Sequence, residues 1–356
     1  MRPHLDSAWF PDVASLIRER QVLRGDMQRR DFITLFAGVA ATVAASRNAF
    51  AQQQSVESAR QIGVLMSYAA DDPEARQRVG VLEQRLHELG WTSGDNLKIN
   101  YRWAAGGDAK TLQMHAAHLV AMRPDVIVCQ STPVLAAVRQ ESKTIPIVFA
   151  QVTDPVGGGF VESLARPGGR ITGFSDYEYG IGGKWMDLLK EIAPKISSVT
   201  VVAMAGHAGN AGIFRVIESA APALGVSLTR VELDRDSNVG REIGTQTKAL
   251  ILLPSPIAIM HREAILDLTA ARRLPACFPL RYFATSGGLM SYGVDQVDEW
   301  RMAAAYVARI LRGEKPADLP VQQPSKFDFV INLKTAHALG LDVPPWLLAS
   351  ADEVIQ

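Results

Sequence analysis

Short apolar, β-branched runs alternate along the chain with longer stretches whose apolar residues fall three and four apart. The short runs predict strands and the longer ones helices. From residue 62 the order is strand 62–66, helix 72–89, strand 97–103, helix 109–122 and strand 125–129. A helix opening at 130–133 and running to about 141 follows, then strand 145–149. Val79, Leu82, Leu86 and Leu89 share one face of the first helix, and Gly90 closes it. Pro124 stops the second helix. Pro133 opens the third, with Ser131 or Thr132 as its cap. Strands and helices at this spacing imply right-handed crossovers and a parallel sheet.

The pattern then repeats, with helix 183–192, strand 199–204, helix 211–224, strands 227–233 and 249–253, helix 257–273 and strand 276–279. The chain therefore reads as two Rossmann-like α/β lobes, about 60–174 and 176–285. In the second lobe only about fifteen residues, 234–248, join two strands, against about twenty in the first. A crossover needs about a dozen, so a helix near 239–246 fits tightly. Beyond Gly287-Gly288 come strand 289–293, helix 299–311, an extended turn through Lys315-Pro316 and Leu319-Pro320, strand 327–331, helix 333–339 and a last segment, 346–354. Residues 290–356 are expected to return to the first lobe, which makes a multi-strand hinge.

The stretch 145–174 organises the rest. Its strand empties into Gln151-Val152-Thr153-Asp154-Pro155 and Gly157-Gly158-Gly159. A short helical piece ending at Arg166-Pro167-Gly168-Gly169 is expected next. Small polar residues at the carboxyl end of a buried parallel strand are where open α/β sheets take ligands. Other predicted strand ends carry Ser67-Tyr68, Gln130-Ser131-Thr132, Ala205-Gly206 and Pro254-Ser255. Several precede helix N-termini, whose free N–H groups favour an anion. Ser131 and Thr132 are candidates for a ligand's anionic end or are plain helix caps. Asp154 is a candidate for an amine or is an Asp-Pro turn residue. Tyr68, Tyr177 and Tyr282 are candidates to stack on an apolar ligand or to pack the core.

Composition narrows the function classes. The 356 residues are 47% hydrophobic and 21% charged, with 37 basic and 37 acidic side chains. A zero net charge does not mark a nucleic-acid or acidic-membrane binder. Cys129 and Cys277 lie in apolar strand-like runs of different halves and read as buried free thiols rather than a disulfide or a nucleophile. The chain has no G-x-S-x-G, H-E-x-x-H or C-x-x-C motif. Gly182-Gly183-Lys184 runs into Trp185 and lacks the Ser or Thr of a phosphate loop. Gly157-Gly158-Gly159 does not match G-x-G-x-x-G. His115 and His118 share a helix face, but no carboxylate or Cys nearby completes a metal set. The reading is a binding protein, with no cofactor, no metal and no chemistry of its own.

The N-terminus carries an address. Arg29-Arg30-Asp31-Phe32-Ile33 is a twin-arginine pair before an apolar run, and Ala49-Phe50-Ala51 is a cleavage site, so cleavage is expected after Ala51. The apolar run is too short to span a bilayer stably. Export to the periplasm, with no membrane span in the mature chain, is expected. Because Met27 directly precedes this signal at 27–51, residues 1–26 read as an upstream extension.

Three motifs then carry a resemblance: DPVGGGFVESLARPGGRITGFS (154–175), GGLMSYGVD (287–295) and RILRGEKPADLPVQQPSKFDFVINLKTAHALGLDVP (309–344), with LLASADEVI (347–355) closing the chain. With these, residues 61–356 resemble the ABC transporter substrate-binding proteins related to the tryptophan- and tyrosine-binding group. The resemblance implies a type I periplasmic-binding fold, two lobes closing on a small ligand, and delivery to a membrane permease and its ATPase by a monomer. It maps the family's binding loops onto Ser67-Tyr68, Gln130 to Thr132, Thr153-Asp154, Ala205 and Pro254-Ser255. Tyr282 joins them from the reading of the aromatic residues. The expected ligand is amino-acid-like or carboxylated. Rival readings are a sensor that presents its ligand to a receptor or histidine kinase, and a hydrolase on the same scaffold. The missing nucleophile–base pair counts against the hydrolase. A repressor core is opposed by the export signal and the lack of a DNA-binding headpiece.

Overall fold

The computed structural model describes residues 59–324 and 326–356. The twin-arginine signal, its cleavage site and the upstream extension lie outside the described residues.

The first sheet has five parallel strands in the order β2-β1-β3-β4-β5: β1 (Arg60–Met66), β2 (Leu97–Trp103), β3 (Val126–Gln130), β4 (Ile147–Val152) and β5 (Ile171–Ser175). Alternation sorts its side chains onto two faces. Ile62, Val64, Val126, Val128 and Val148 pack in one apolar cluster, and Leu65, Ile127, Cys129, Ile147 and Phe149 in another. Helix α1 (Pro73–Glu88) covers the first face. Asp72 caps it, its carboxylate accepting from the N–H groups of Glu74 and Ala75, and Pro73 supplies the fixed φ of a first turn. Helices α2 (Ala109–Ala121) and α3 (Thr132–Glu141) cover the second face.

The second sheet has seven strands in the order β12-β11-β10-β9-β8-β6-β7: β6 (Ser198–Met204), β7 (Ser227–Leu233), β8 (Leu250–Leu252), β9 (Ala276–Phe278), β10 (Met290–Val294), β11 (Phe327–Asn332) and β12 (Glu353–Ile355). All its pairings are parallel except β10 with β11. Helix α4 (Ile181–Ile192) and α5 (Ala208–Ala220) pack Trp185, Leu189, Ile213 and Ile217 against one face. The short connection expected to be tight holds only α6 (Val239–Glu242), yet it is filled. Val239 and Ile243 are buried, and Arg272 donates to the carbonyls of Gly240 and Gly244.

Residues 290–356 do not return to the first lobe as a block. β10, β11 and β12 extend the second sheet, because Phe329, Val330 and Ile331 are buried beside Met290 and the last strand. What crosses back is α10 (Gln296–Leu311). Its Trp300, Ala303, Ala304, Val307 and Leu311 form an i, i+3, i+4 stripe that covers the first sheet and packs on α1. The chain thus passes between the lobes at 175–177 and at 294–296, and again between Gln322 and β11. Gln322 is tied to β5, its N–H donating to Gly173 O at 3.0 Å and its carbonyl accepting from Ser175 N at 2.9 Å.

Other expectations shift locally. No helix forms between β4 and β5, where glycine turns dominate. The helix expected at 257–273 breaks at His261 into α7 (Pro256–Met260) and α8 (Arg262–Ala271). A further helix, α9 (Arg281–Thr285), places Tyr282. The chain's last part forms α11 (Leu333–Leu339), α12 (Pro345–Ser350) and β12.

Candidate functional site

The carboxyl ends of β1, β3 and β4 face those of β6, β8 and β9 across a narrow cleft. Three non-glycine residues at the first lobe's strand ends hold left-handed backbones: Ser131 (φ 83°), Gln151 (φ 59°) and Asp154 (φ 45°). Such strain persists only where surrounding contacts impose it. Here the contacts are a polar chain. Gln130 Oε1 accepts from Ser67 N at 3.0 Å, and Gln130 Nε2 donates to Gln151 Oε1 at 2.8 Å. The hydroxyls of Ser67 and Ser131 lie 3.0 Å apart. Gln151 sits in a register shift between β4 and β5, which takes its side chain out of the strand alternation.

Asp176 lies in the first crossing, directly after β5. Thr153 Oγ1 donates to its Oδ1 at 2.9 Å, and Tyr177 N donates at 2.7 Å. Burial pushes its carboxyl up to about 6, against those two hydrogen bonds. One turn beyond Gln296, Glu299 is buried with no partner for either carboxylate oxygen among the described residues. Burial, then the nearby Asp176 charge, raises its carboxyl well above the usual range.

The second lobe contributes His207, Ser255 and the residues around them. His207 Nδ1 accepts from Asn210 N at 3.2 Å, and burial lowers its imidazole to about 4, so the ring is neutral at physiological pH. Asn210 Nδ2 donates to Pro254 O at 2.9 Å, and Ser255 Oγ accepts from Ala258 N at 3.1 Å. These bonds fix the 254–256 loop over the cleft. The enclosed space is about 20 Å³, room for about one water molecule. Leu280 and Gln296 line it and also border an open recess of about 620 Å³, walled by Arg78, Arg281 and Tyr282.

The lobes touch directly around the cleft. Arg262 Nη1 reaches Asp72 Oδ2 at 2.5 Å, and Arg235 Nη1 reaches Asp108 Oδ2 at 3.1 Å. Gly106 and Gly107, both at positive φ, lie against Met260 and Pro256.

This two-lobed architecture recurs among known proteins. The family model described as ABC transporter substrate binding protein matches residues 62–355. The chain belongs to that family. Its members are solute-binding proteins rather than enzymes. The tyrosine-binding protein of Clostridioides difficile (strain R20291) is 25% identical over 297 residues, spanning 83% of this chain and 85% of that protein. A conserved domain protein from Vibrio cholerae has the same fold, with a TM-score of 0.77 and 28% identity over 83% of this chain and 99% of its own. An ABC domain from Streptococcus pneumoniae, solved with L-Trp, superposes with a TM-score of 0.77 at 24% identity, covering 84% of this chain and 100% of its own. The fold of this substrate-binding protein is the type I periplasmic-binding one, two α/β lobes each built on a largely parallel sheet.

Of the residues singled out in the sequence, Gln130, Ser131, Thr153, Pro254 and Ser255 line the enclosed space. Ser67 reaches it through Ser131, and Thr132 Oγ1 accepts from Thr153 N at 3.3 Å. Tyr282 borders the recess, and Tyr68 is buried beside Arg78. Asp154 instead accepts from Gly157 N at 2.9 Å within its turn and does not line the cleft, and Ala205 is exposed. Sequence reasoning missed Gln151, Asp176, His207, Gln296 and Arg78. Asp176 had a usable signal: it directly follows the motif ending at Ser175, at a strand's carboxyl end. Arg78, by contrast, looks in sequence like any solvent-facing helix charge.

Proposed function

We propose that this protein captures a small amino-acid-like molecule between its lobes and delivers it to an ABC permease. One observation carries the ligand class: Asp176, at the junction of the lobes, is the acidic side chain lining the enclosed cleft. A buried carboxylate with only two donors on it gains most from a cation, and an ammonium group is the small-molecule cation that also donates hydrogen bonds. Ser131, Thr153, Gln151 and Ser255 surround it with polar groups, and Ile259 and Leu280 give an apolar wall. The names of the tyrosine-binding relative and the L-Trp complex support an amino acid.

Binding works by lobe closure. The cleft holds about one water, so a ligand enters only when the lobes part about the three crossing segments. Contacts from both lobes then favour the closed form. The twin-arginine pair Arg29-Arg30 directs the chain to the periplasm, where the permease and its ATPase are the partners and one copy suffices.

A thermal-shift screen against amino acids, aromatic acids, small carboxylates and sugars tests the reading. A ligand at about a hundred times its dissociation constant adds roughly 2.7 kcal/mol. A shift with amine-bearing molecules that is lost in Asp176→Asn supports it. A shift confined to sugars or to amine-free acids refutes it.

A further inference from the structure

We propose that Arg78 and Tyr282, with Tyr68 buried behind them, form a carboxylate-binding subsite at the open recess, and that the captured molecule carries its carboxylate there. The proposal rests on the amino-acid reading and adds the position of the anionic end.

The three residues come from both lobes. Tyr68 follows β1, Arg78 lies in α1, and Tyr282 lies in α9 of the second lobe. The Arg78 guanidinium carbon stands 5.3 Å from the centre of the Tyr68 ring, and that of Arg262 stands 5.8 Å from the Tyr282 ring. Tyr68 is 1% exposed and Arg78 2%. Arg78 and Tyr282 wall the recess, which shares Leu280 and Gln296 with the cleft of Asp176. A ligand amine on Asp176 and a ligand carboxylate on Arg78 would lie on the two sides of Leu280 and Gln296.

The unpartnered donors define the group that fits. Arg78 Nη1 donates to the Glu74 carbonyl at 2.6 Å and carboxylate at 3.0 Å, and its Nη2 donates to Gln296 Oε1. Among the described residues its Nε–H has no partner, nor do the hydroxyls of Tyr68 and Tyr282. Buried donors are normally satisfied. One guanidinium N–H and two hydroxyls, on side chains of both lobes, are left for an acceptor, and a carboxylate offers two oxygens with several lone pairs. The recess also carries the carboxylates of Glu74, Asp295, Asp328 and Asp352. Glu74 keeps its side chain 28% exposed whereas that of Arg78 is 3% exposed, so the buried end of this ion pair is the positive one. Burial raises the Glu299 carboxyl well above the usual range, which disfavours an opposing charge there.

The N-terminus of α3 is the weaker seat for the same group. Pro133 removes one of its N–H groups. The Ser131 hydroxyl is engaged with Ser67, and Thr132 Oγ1 already accepts from Thr153 N.

Calorimetry on the whole protein with L-tyrosine and L-tryptophan, beside tyramine and tryptamine, tests the assignment, because each amine lacks only the carboxylate. The amino acids are expected to bind about tenfold or more tightly than the amines. Tyr282→Phe, which removes one hydroxyl and keeps the ring, should erase about tenfold of that preference without weakening the amines. Arg78→Gln should erase more, and Tyr282→Phe keeps the test available if that variant misfolds. Equal affinity for amino acid and amine overturns the subsite. So does a preference lost on Ser131→Ala but kept on Tyr282→Phe. Binding of the amines alone overturns the subsite and leaves the amine anchor standing, whereas binding of none of the four overturns both.

Discussion

Asp72 Oδ2 in the first lobe lies 2.5 Å from Arg262 Nη1 in the second, with the two side chains 9% and 23% exposed. The same carboxylate caps α1 through its other oxygen, which accepts from Glu74 N at 2.9 Å. A single residue thus begins the helix that carries Arg78 and latches the lobes together.

Arg262→Met should loosen the latch and spare the cap. Small-angle scattering should then show a larger radius of gyration than wild type, with a melting temperature lowered only slightly. Asp72→Ala loses the cap as well and should be less stable than Arg262→Met by about 1 kcal/mol. Equal melting temperatures with no change in dimensions would show that the pair does not hold the lobes.

Gly106→Val should impair closure more than folding. A Cβ at Gly106 would stand 2.6 Å from Met260 Sδ of the opposite lobe, and the residue's φ of 76° disfavours any side chain. The strain costs about 1–3 kcal/mol. The clash is relieved when the lobes part, so ligand affinity should fall further than stability does. A calorimetric titration beside a thermal melt separates the two effects.

How much was legible in the sequence follows from where each signal lives. Strands such as 97–103 and 227–233 matched because their alternating apolar and polar residues are bounded by turn residues, a signal that does not depend on packing. The membership of β10 to β12 was not legible. A strand's sheet is decided by its partners, and Phe329 to Ile331 would suit either lobe. The site split in the same way. Ser131 and Ser255 were found because they sit where predicted strands end and helices begin. Asp154 and Asp176 are both strand-end aspartates, and only their backbone turns decide which faces the cleft.

Stability should fall as pH rises through the window set by Asp176. Its folded pKa, about 6, lies above the ordinary value of 3.8 because the carboxyl is buried. Between those values the folded state binds more protons than the unfolded chain, so stability is fully present near pH 4 and declines to a plateau above about pH 6. The shift of about two units corresponds to roughly 3 kcal/mol. Glu299, raised for the same reason, pushes in the same direction. Asp176→Asn should flatten the decline between pH 4 and 6 in chemical-denaturation curves. An unchanged slope in that variant would assign the proton to another group.

Ligand binding should show the opposite trend. A cation on Asp176 favours its ionised form, so affinity for an amine-bearing ligand should weaken as pH falls below about 6, and Asp176→Asn should remove that dependence. A flat affinity from pH 5 to 8 in the wild-type protein would contradict the amine anchor.

The most direct test of the account is a calorimetric titration of wild-type protein and Asp176→Asn with L-tyrosine and L-tryptophan at neutral pH. Saturable binding of one amino acid per chain, weakened about tenfold or more in the variant, is the predicted result. Equal affinity in the two proteins, or no binding of either amino acid to a cooperatively folded wild type, would contradict an amino-acid trap anchored at Asp176.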